Sequence, residues 1–356
     1  MKHAVMTAGA IAVSATGALA GGVERSAQSV GILFEDGNRA EFTFTFASPE
    51  VSGSLGGGAL QSGDMAPGYF GYAFAYKQKL GERLDFALII DQPIGADVDY
   101  PTGTGYPLAG TTATLSSQAI TGLLKYRFDN NVSVYGGLRA EAVRGVVSIP
   151  FLGGYTLETN RDLALGYVVG AGWERPDIMA RVALTYNSAI EHSLDSTEFG
   201  ADTGGFDTTV PQSVNLEFQT GISRQAQLLL FGSVRWVDWT EFEIAPPAYL
   251  GVVGTPLVSY QSDRVTYNLG LGKRFNENWS GAVTLGYEPS NGDITGNLGP
   301  VDGFASIGVG ATYTQGNMEI TAGVRYVEIG DATTTLGADF SGNSAVAAGL
   351  NLAMTF

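Results

Sequence analysis

From Ala40 to the C-terminus, apolar residues alternate with small or polar ones, and no other feature constrains the fold of this chain as strongly. Phe42, Phe44 and Phe46 share one parity, with Glu41, Thr43 and Thr45 on the other. Phe70, Tyr72, Phe74 and Tyr76 alternate with Gly71, Ala73, Ala75 and Lys77. The chain ends with Val346, Ala348, Leu350, Leu352, Met354 and Phe356 on one parity. A period of two means strand, because successive side chains face opposite sides of a sheet. Fourteen such segments are predicted, near 40–52, 68–80, 83–92, 113–128, 131–148, 155–174, 177–190, 209–222, 226–242, 260–275, 278–288, 303–314, 317–329 and 345–356. Most reach the roughly 9–11 residues that a tilted strand needs to cross a bilayer.

The connections alternate too. Leu80-Gly81-Glu82-Arg83, Asp129-Asn130-Asn131, Arg175-Pro176-Asp177, Ser223-Arg224-Gln225, Asn276-Glu277-Asn278 and Gln315-Gly316-Asn317 are tight turns. Between them lie long connections at 53–67, 93–112, 191–208, 243–259, 289–302 and 330–344, with one short exception at Pro150–Gly154. Short turns on one rim and long loops on the other predict an all-β, antiparallel transmembrane barrel of about fourteen strands. The even count leaves both barrel ends on the short-turn, periplasmic side. Tyr126, Phe128, Tyr167, Trp173, Trp236, Phe275, Trp279, Tyr287, Tyr313 and Phe356 fall near strand ends on the apolar parity, as in interfacial girdles. A soluble sandwich or propeller would solvate one face, but here the second face is largely Gly, Ala, Ser and Thr.

Three domains follow. Residues 1–20 have Lys2, a short apolar run and Ala18-Leu19-Ala20, which reads as a secretory signal peptide. Residues 21–39 carry Val30, Ile32, Leu33 and Phe34, too apolar for a free tail, and are expected to plug the lumen as a hatch. Residues 40–356 form the barrel, and no apolar run is long enough for a membrane helix. The expected location is a Gram-negative outer membrane.

Composition narrows the chemistry. There is no cysteine and there are two histidines, which excludes thiolate and multi-histidine metal sites and leaves no cofactor motif. The 19 basic against 35 acidic residues, a net charge of −16, exclude a nucleic-acid partner. His192-Ser193 is the one histidine–serine neighbourhood, and adjacent residues of an extended chain point apart, so no catalytic residue is expected. Glu191, Asp195, Glu198, Asp202 and Asp207 read as a solvated surface, with divalent-cation bridges to lipopolysaccharide as the alternative.

Parity sends Lys77, Lys125, Arg139, Arg181, Arg235, Arg264 and Arg325 into the lumen, with Asp85, Asp91, Glu141, Glu217 and Glu319. Arg139, Arg235 and Arg325 fall at mid-depth on strands five, nine and thirteen. Each offers a guanidinium to a substrate carboxylate, unless lumenal acids such as Glu141 already occupy it. In strand three, Pro93 cannot donate to a neighbouring strand and Gly95 accepts a bend, which predicts a local break in the wall.

Several stretches resemble the FadL family of outer-membrane long-chain fatty acid and aromatic-hydrocarbon transporters. They are Asp91 to Asp97, Pro211 to Leu216, Phe231 to Trp239, Asp302 to Tyr313 and the close at Asn351 to Phe356. The resemblance implies fourteen strands, a lumenal hatch and a third-strand kink that opens the wall laterally. The family's Asn-Pro-Ala tripeptide would fall on Asn38-Arg39-Ala40, without its proline, so Asn38 is counted with the hatch. The short third outer connection would not build an external groove. Phe356 resembles the C-terminal aromatic signal read by the outer-membrane assembly machinery. The expected function is a passive channel for hydrophobic molecules, long-chain fatty acids above all, lying among outer-membrane lipids. The alternative is a general polar-solute porin with an eyelet loop in 93–112.

Overall fold

A computed structural model describes residues 22–223 and 225–356, so the signal sequence expected at 1–20 lies outside the described residues. Fourteen antiparallel strands close into a barrel. They are β1 (Arg39–Glu50), β2 (Tyr69–Lys79), β3 in two pieces (Leu84–Asp91 and Gly95–Asp99), β4 (Thr112–Arg127) and β5 (Val132–Ile149). Next come β6 (Asp162–Arg175), β7 (Ala180–Asn187), β8 (Ser213–Ser223), β9 (Leu228–Val237) and β10 (Arg264–Arg274). The last four are β11 (Trp279–Glu288), β12 (Phe304–Gln315), β13 (Met318–Ile329) and β14 (Ser344–Thr355). Each pairs with its chain neighbours, and β1 closes on β14 from Arg39↔Thr355 to Glu50↔Ser344. Closure removes the unpaired edges that a bilayer does not tolerate.

The parity read from the sequence is the parity of the wall. Phe42, Phe46, Phe70, Leu138, Leu163, Leu165 and Tyr326 stand exposed on the outer face, while Lys77, Asp85, Lys125, Arg139, Glu141, Arg235 and Arg325 are buried inside. Phe356 stacks on Tyr76 at 6.0 Å, and its N–H donates to the Asn38 carbonyl, tying the terminus to the start of β1. The β12–β13 turn requires Gly316, whose φ of +64° lies in the left-handed region.

Three expectations are corrected at the long-loop rim. The connection 191–208 is a hairpin of Ile190–Glu198 and Ala201–Val210. Its first strand keeps strict alternation, with Ile190, His192 and Leu194 buried, but the apolar parity is too sparse to read as a strand from sequence. The segment 155–174 divides at Asn160 and Arg161. Tyr155–Thr159 there rises above the wall to pair with the end of β5 and with that hairpin. Glu198 is not a surface acid. It is fully buried and accepts from Tyr155 Oη (2.8 Å), Thr203 Oγ1 (2.8 Å) and the N–H groups of Ala248 (2.9 Å) and Tyr249 (2.8 Å). It thereby holds down the short helix Pro247–Val253. The long loops share one apolar core, with Val51, Met65, Tyr100, Leu108, Ile149, Leu257 and Phe340 at its centre, and this core caps the barrel.

Candidate functional site

Residues 22–38 lie inside the wall and touch it from rim to rim. At the capped end, Gly22 lies so close to Trp239 that a Cβ would be 2.5 Å from its ring, and Trp239 packs on Phe242 and Tyr260. Lower down, Ser29 Oγ donates to Glu217 (2.5 Å), and Asn215 Nδ2 donates to the Ala27 carbonyl (2.9 Å). Val30, Ile32 and Leu33 are buried against Ala87, Leu123, Tyr135 and Val168. Full burial of such side chains contributes roughly 1.5–3 kcal/mol each. The Phe34 ring meets Tyr135 edge-on and lies between Lys125 Nζ (4.4 Å) and the Arg181 guanidinium (5.2 Å). At the short-turn rim, Lys77 Nζ donates to the Glu35 carbonyl, and Asn38 Oδ1 accepts from the Lys79 N–H (2.9 Å).

The three arginines expected to meet a substrate carboxylate have different fates. Arg235 pairs with Glu24 of the N-terminal segment (2.6 Å) and donates to Ser213 and Asn215. Arg139 donates to Gln28 of the same segment (2.7 Å) and to Thr121 (2.9 Å). Neither hydrogen-bonds Glu141, whose two carboxylate oxygens are buried without a hydrogen-bond partner. Arg325 is 8% exposed and has no hydrogen bond or ion pair among the described residues. Its register neighbours are Gly308 and Ala347. The same row continues through Ala47 to Tyr69 on β2. Three ladder spacings, roughly 14 Å, separate Arg325 from Tyr69 across a floor of small side chains.

Tyr69 stands at the break in the wall. β2 and β3 pair only from Lys79↔Asp85 to Phe74↔Ile90, so this ladder does not extend to Tyr69–Ala73. β3 stays on β4 on either side of the break, at Asp91↔Ala119 and again at Gly95↔Ser116. A cavity of about 280 Å³ fills the gap. Its lining includes the outward-facing Phe70, Tyr72 and Ser116 and the inward-facing Gly71, Ala73 and Asp91, so it passes through the wall. On the outer face, Gln118 Nε2 donates to Tyr72 Oη (3.0 Å) across the opening. A second cavity of about 70 Å³, lined by Val23, Val51, Met65, Val98, Tyr260 and Leu298 among others, lies under the cap and also touches Gly95 and Asp97.

The N-terminal segment docks on this break. The Arg25 N–H (2.8 Å) and the Ser26 N–H (3.3 Å) donate to the Pro93 carbonyl, and the Gly95 N–H donates to the Val23 carbonyl (2.8 Å). Ser26 Oγ donates to Asp91 (2.6 Å). Pro93 lies between the two pieces of β3, beyond the end of its ladder with β2. Gly95 opens the second piece. Its φ is not left-handed, but a Cβ would lie 3.1 Å from Arg25 Cγ and 3.2 Å from the Leu115 carbonyl. Sequence reasoning passed over Glu24, Arg25 and Gln28. Their signal was polarity within an otherwise apolar segment, and it becomes legible only once Arg235, Asp97 and Arg139 are seen to face them.

Burial pushes the Glu35 carboxyl up from 4.5 to about 7, against the pull of Arg39, with Glu41 raising it, Arg181 lowering it and Glu319 raising it. The docked segment therefore holds this proton more tightly than the undocked one. Docking is strongest below pH 4.5 and weakens as pH rises through 7. Planar-bilayer conductance should rise between pH 5 and pH 8.5, and Glu35→Gln should flatten that rise. A parent conductance independent of pH would contradict the assignment.

A family model described as outer membrane protein transport protein (OMPP1/FadL/TodX) matches residues 4–352. No curated protein matches the chain. Among solved structures, a Pseudomonas aeruginosa FadL homologue is 14% identical, covers 92% of both chains and superposes with a TM-score of 0.73. The P. putida toluene transporter TodX is 12% identical over 92% of both chains, with a TM-score of 0.65. The monoaromatic hydrocarbon channel CymD is 13% identical over 90% of this chain and 89% of its own, with a TM-score of 0.60. At these identities the likeness establishes the shared barrel, and the family match establishes kinship. The chain belongs to the OMPP1/FadL/TodX family of outer-membrane channels for hydrophobic compounds, which are not enzymes.

Proposed function

We propose that this channel carries long-chain fatty acids past the lipopolysaccharide barrier and releases them sideways into the bilayer at the break in β3. Residues 22–38 act as its hatch. The cavity that passes through the wall beside Pro93 carries this reading, because a hydrophobe leaving there avoids water altogether. A polar porin would gain nothing from such a side exit, and a segment lying along the whole lumen would obstruct it. Among the three arginines, Arg325 is the one left for a carboxylate, since hatch residues already engage Arg139 and Arg235.

A second reading, uncharged monoaromatic hydrocarbons, draws on the charge around the window. Glu35, Glu41, Asp91 and Asp97 line the cavity with one cation, Arg25, which is already paired. Oleate and toluene separate the two readings. A charge-assisted contact is worth roughly 1.5–3 kcal/mol, so Arg325→Gln should weaken oleate binding by about tenfold or more. Toluene binding should be unchanged. Oleate binding equal in parent and variant would remove the head-group role, and saturable toluene binding without oleate binding would favour the second reading.

A further inference from the structure

We infer that Arg25 is the bolt of the lateral window: its guanidinium joins the two separated edges of the gap, and its release widens the opening. The inference rests on the side-exit reading and adds a residue that controls that exit. On the β3 side, Arg25 Nε donates to the Gly95 carbonyl (3.1 Å) and Nη2 pairs with Asp97 (2.8 Å). On the β2 side, the same guanidinium lies 3.5 Å over the Tyr69 ring. Tyr69 belongs to the stretch of β2 that its ladder with β3 does not reach, so one side chain spans the distance that the ladder leaves open. Arginine suits this task, because its planar fork bonds in the plane and stacks through its face at once.

Two further observations fit a bolt better than a passive contact. Gly95 leaves the berth for the arginine stem, since a Cβ there would press on Arg25 Cγ at 3.1 Å. The ion pair is also reachable: the Arg25 side chain is 11% exposed and that of Asp97 35%. Water and salt screen a pair of that exposure, so it holds without being permanent. Its position is where the apolar cavity under the cap meets the cavity in the wall, as both touch Gly95 and Asp97. A molecule moving between them passes the bolt.

The test measures opening rather than transport, so it separates the bolt from the route. The chain has no cysteine, so Ala73→Cys places a single thiol on the inner side of the window. Ala322→Cys, on the lipid-exposed face of β13, serves as the control. Full-length protein in phosphatidylcholine vesicles is labelled with N-dodecylmaleimide dissolved in the bilayer. With Arg25 intact, the thiol at position 73 should react slowly. In Arg25→Gln it should react at least tenfold faster, in Arg25→Lys at an intermediate rate, and the control should not change. Tyr69→Leu should accelerate labelling in the same way from the other side of the gap. It supplies the test on its own if Arg25→Gln does not assemble, and heat-dependent mobility in SDS establishes assembly for each variant. Equal rates at position 73 with and without the bolt, in assembled protein, would overturn the inference. So would fast labelling of the parent, and either result would leave the lateral route to be judged by uptake alone.

Discussion

Removal of residues 22–37 is expected to turn an occluded barrel into an open pore, with single-channel conductance in planar bilayers rising tenfold or more. The wall keeps its strand-to-strand ladders without this segment, because every strand pairs with its chain neighbours over part or all of its length and β1 with β14. The segment supplies none of those rungs except at the break, where it bonds to Pro93 and Gly95. What it supplies is bulk and charge. Val30, Ile32, Leu33 and Phe34 leave the lumen, while Arg235 loses Glu24 and Arg139 loses Gln28. Two freed guanidiniums should make the opened pore favour anions. Leu33→Asp should move conductance in the same direction, since a carboxylate at a buried apolar site costs several kcal/mol unless it is paired. Conductance unchanged in an assembled deletion variant would show that this segment does not close the pore.

The barrel was legible because a bilayer imposes a simple rule on a strand: apolar on one parity, small or polar on the other, and no free edge. Phe42 through Phe46 and Val346 through Phe356 state that rule residue by residue. Where the wall leaves the bilayer the rule lapses, which is why the hairpin at Ile190–Glu198 and Ala201–Val210 reads as a loop. The site was legible only in half. Parity sent Arg139, Arg235 and Arg325 inward, but the N-terminal partners of Arg139 and Arg235 lie more than a hundred positions away, and no local pattern announces Glu24 against Arg235 or Gln28 against Arg139. Pro93 marked the break through its own chemistry, a missing donor. Gly95 reflects a neighbour, Arg25, which only the folded chain brings beside it. Glu198 shows the same limit, since four donors from three separate segments turn an apparent surface acid into a buried clamp.

The second large effect concerns the way out. Ala73 lines the cavity that passes through the wall, on the stretch of β2 that its ladder with β3 does not reach. Ala73→Trp places an indole in the opening and leaves Pro93, Gly95 and the hatch residues unsubstituted. A valine at Gly95 would be a poorer plug, because its Cβ would displace Arg25 and disturb the bolt along with the window. With the opening filled, a fatty acid that has entered beneath the cap has no dry path to the bilayer. Uptake should then fall at least tenfold, whatever happens at the head-group site. The deciding measurement is the initial rate of radiolabelled oleate uptake by cells that lack a long-chain transporter of their own and express parent or Ala73→Trp at equal, heat-modifiable surface levels. The lateral route predicts near-background uptake by the variant; uptake equal to the parent's would contradict it and send the substrate straight through the barrel.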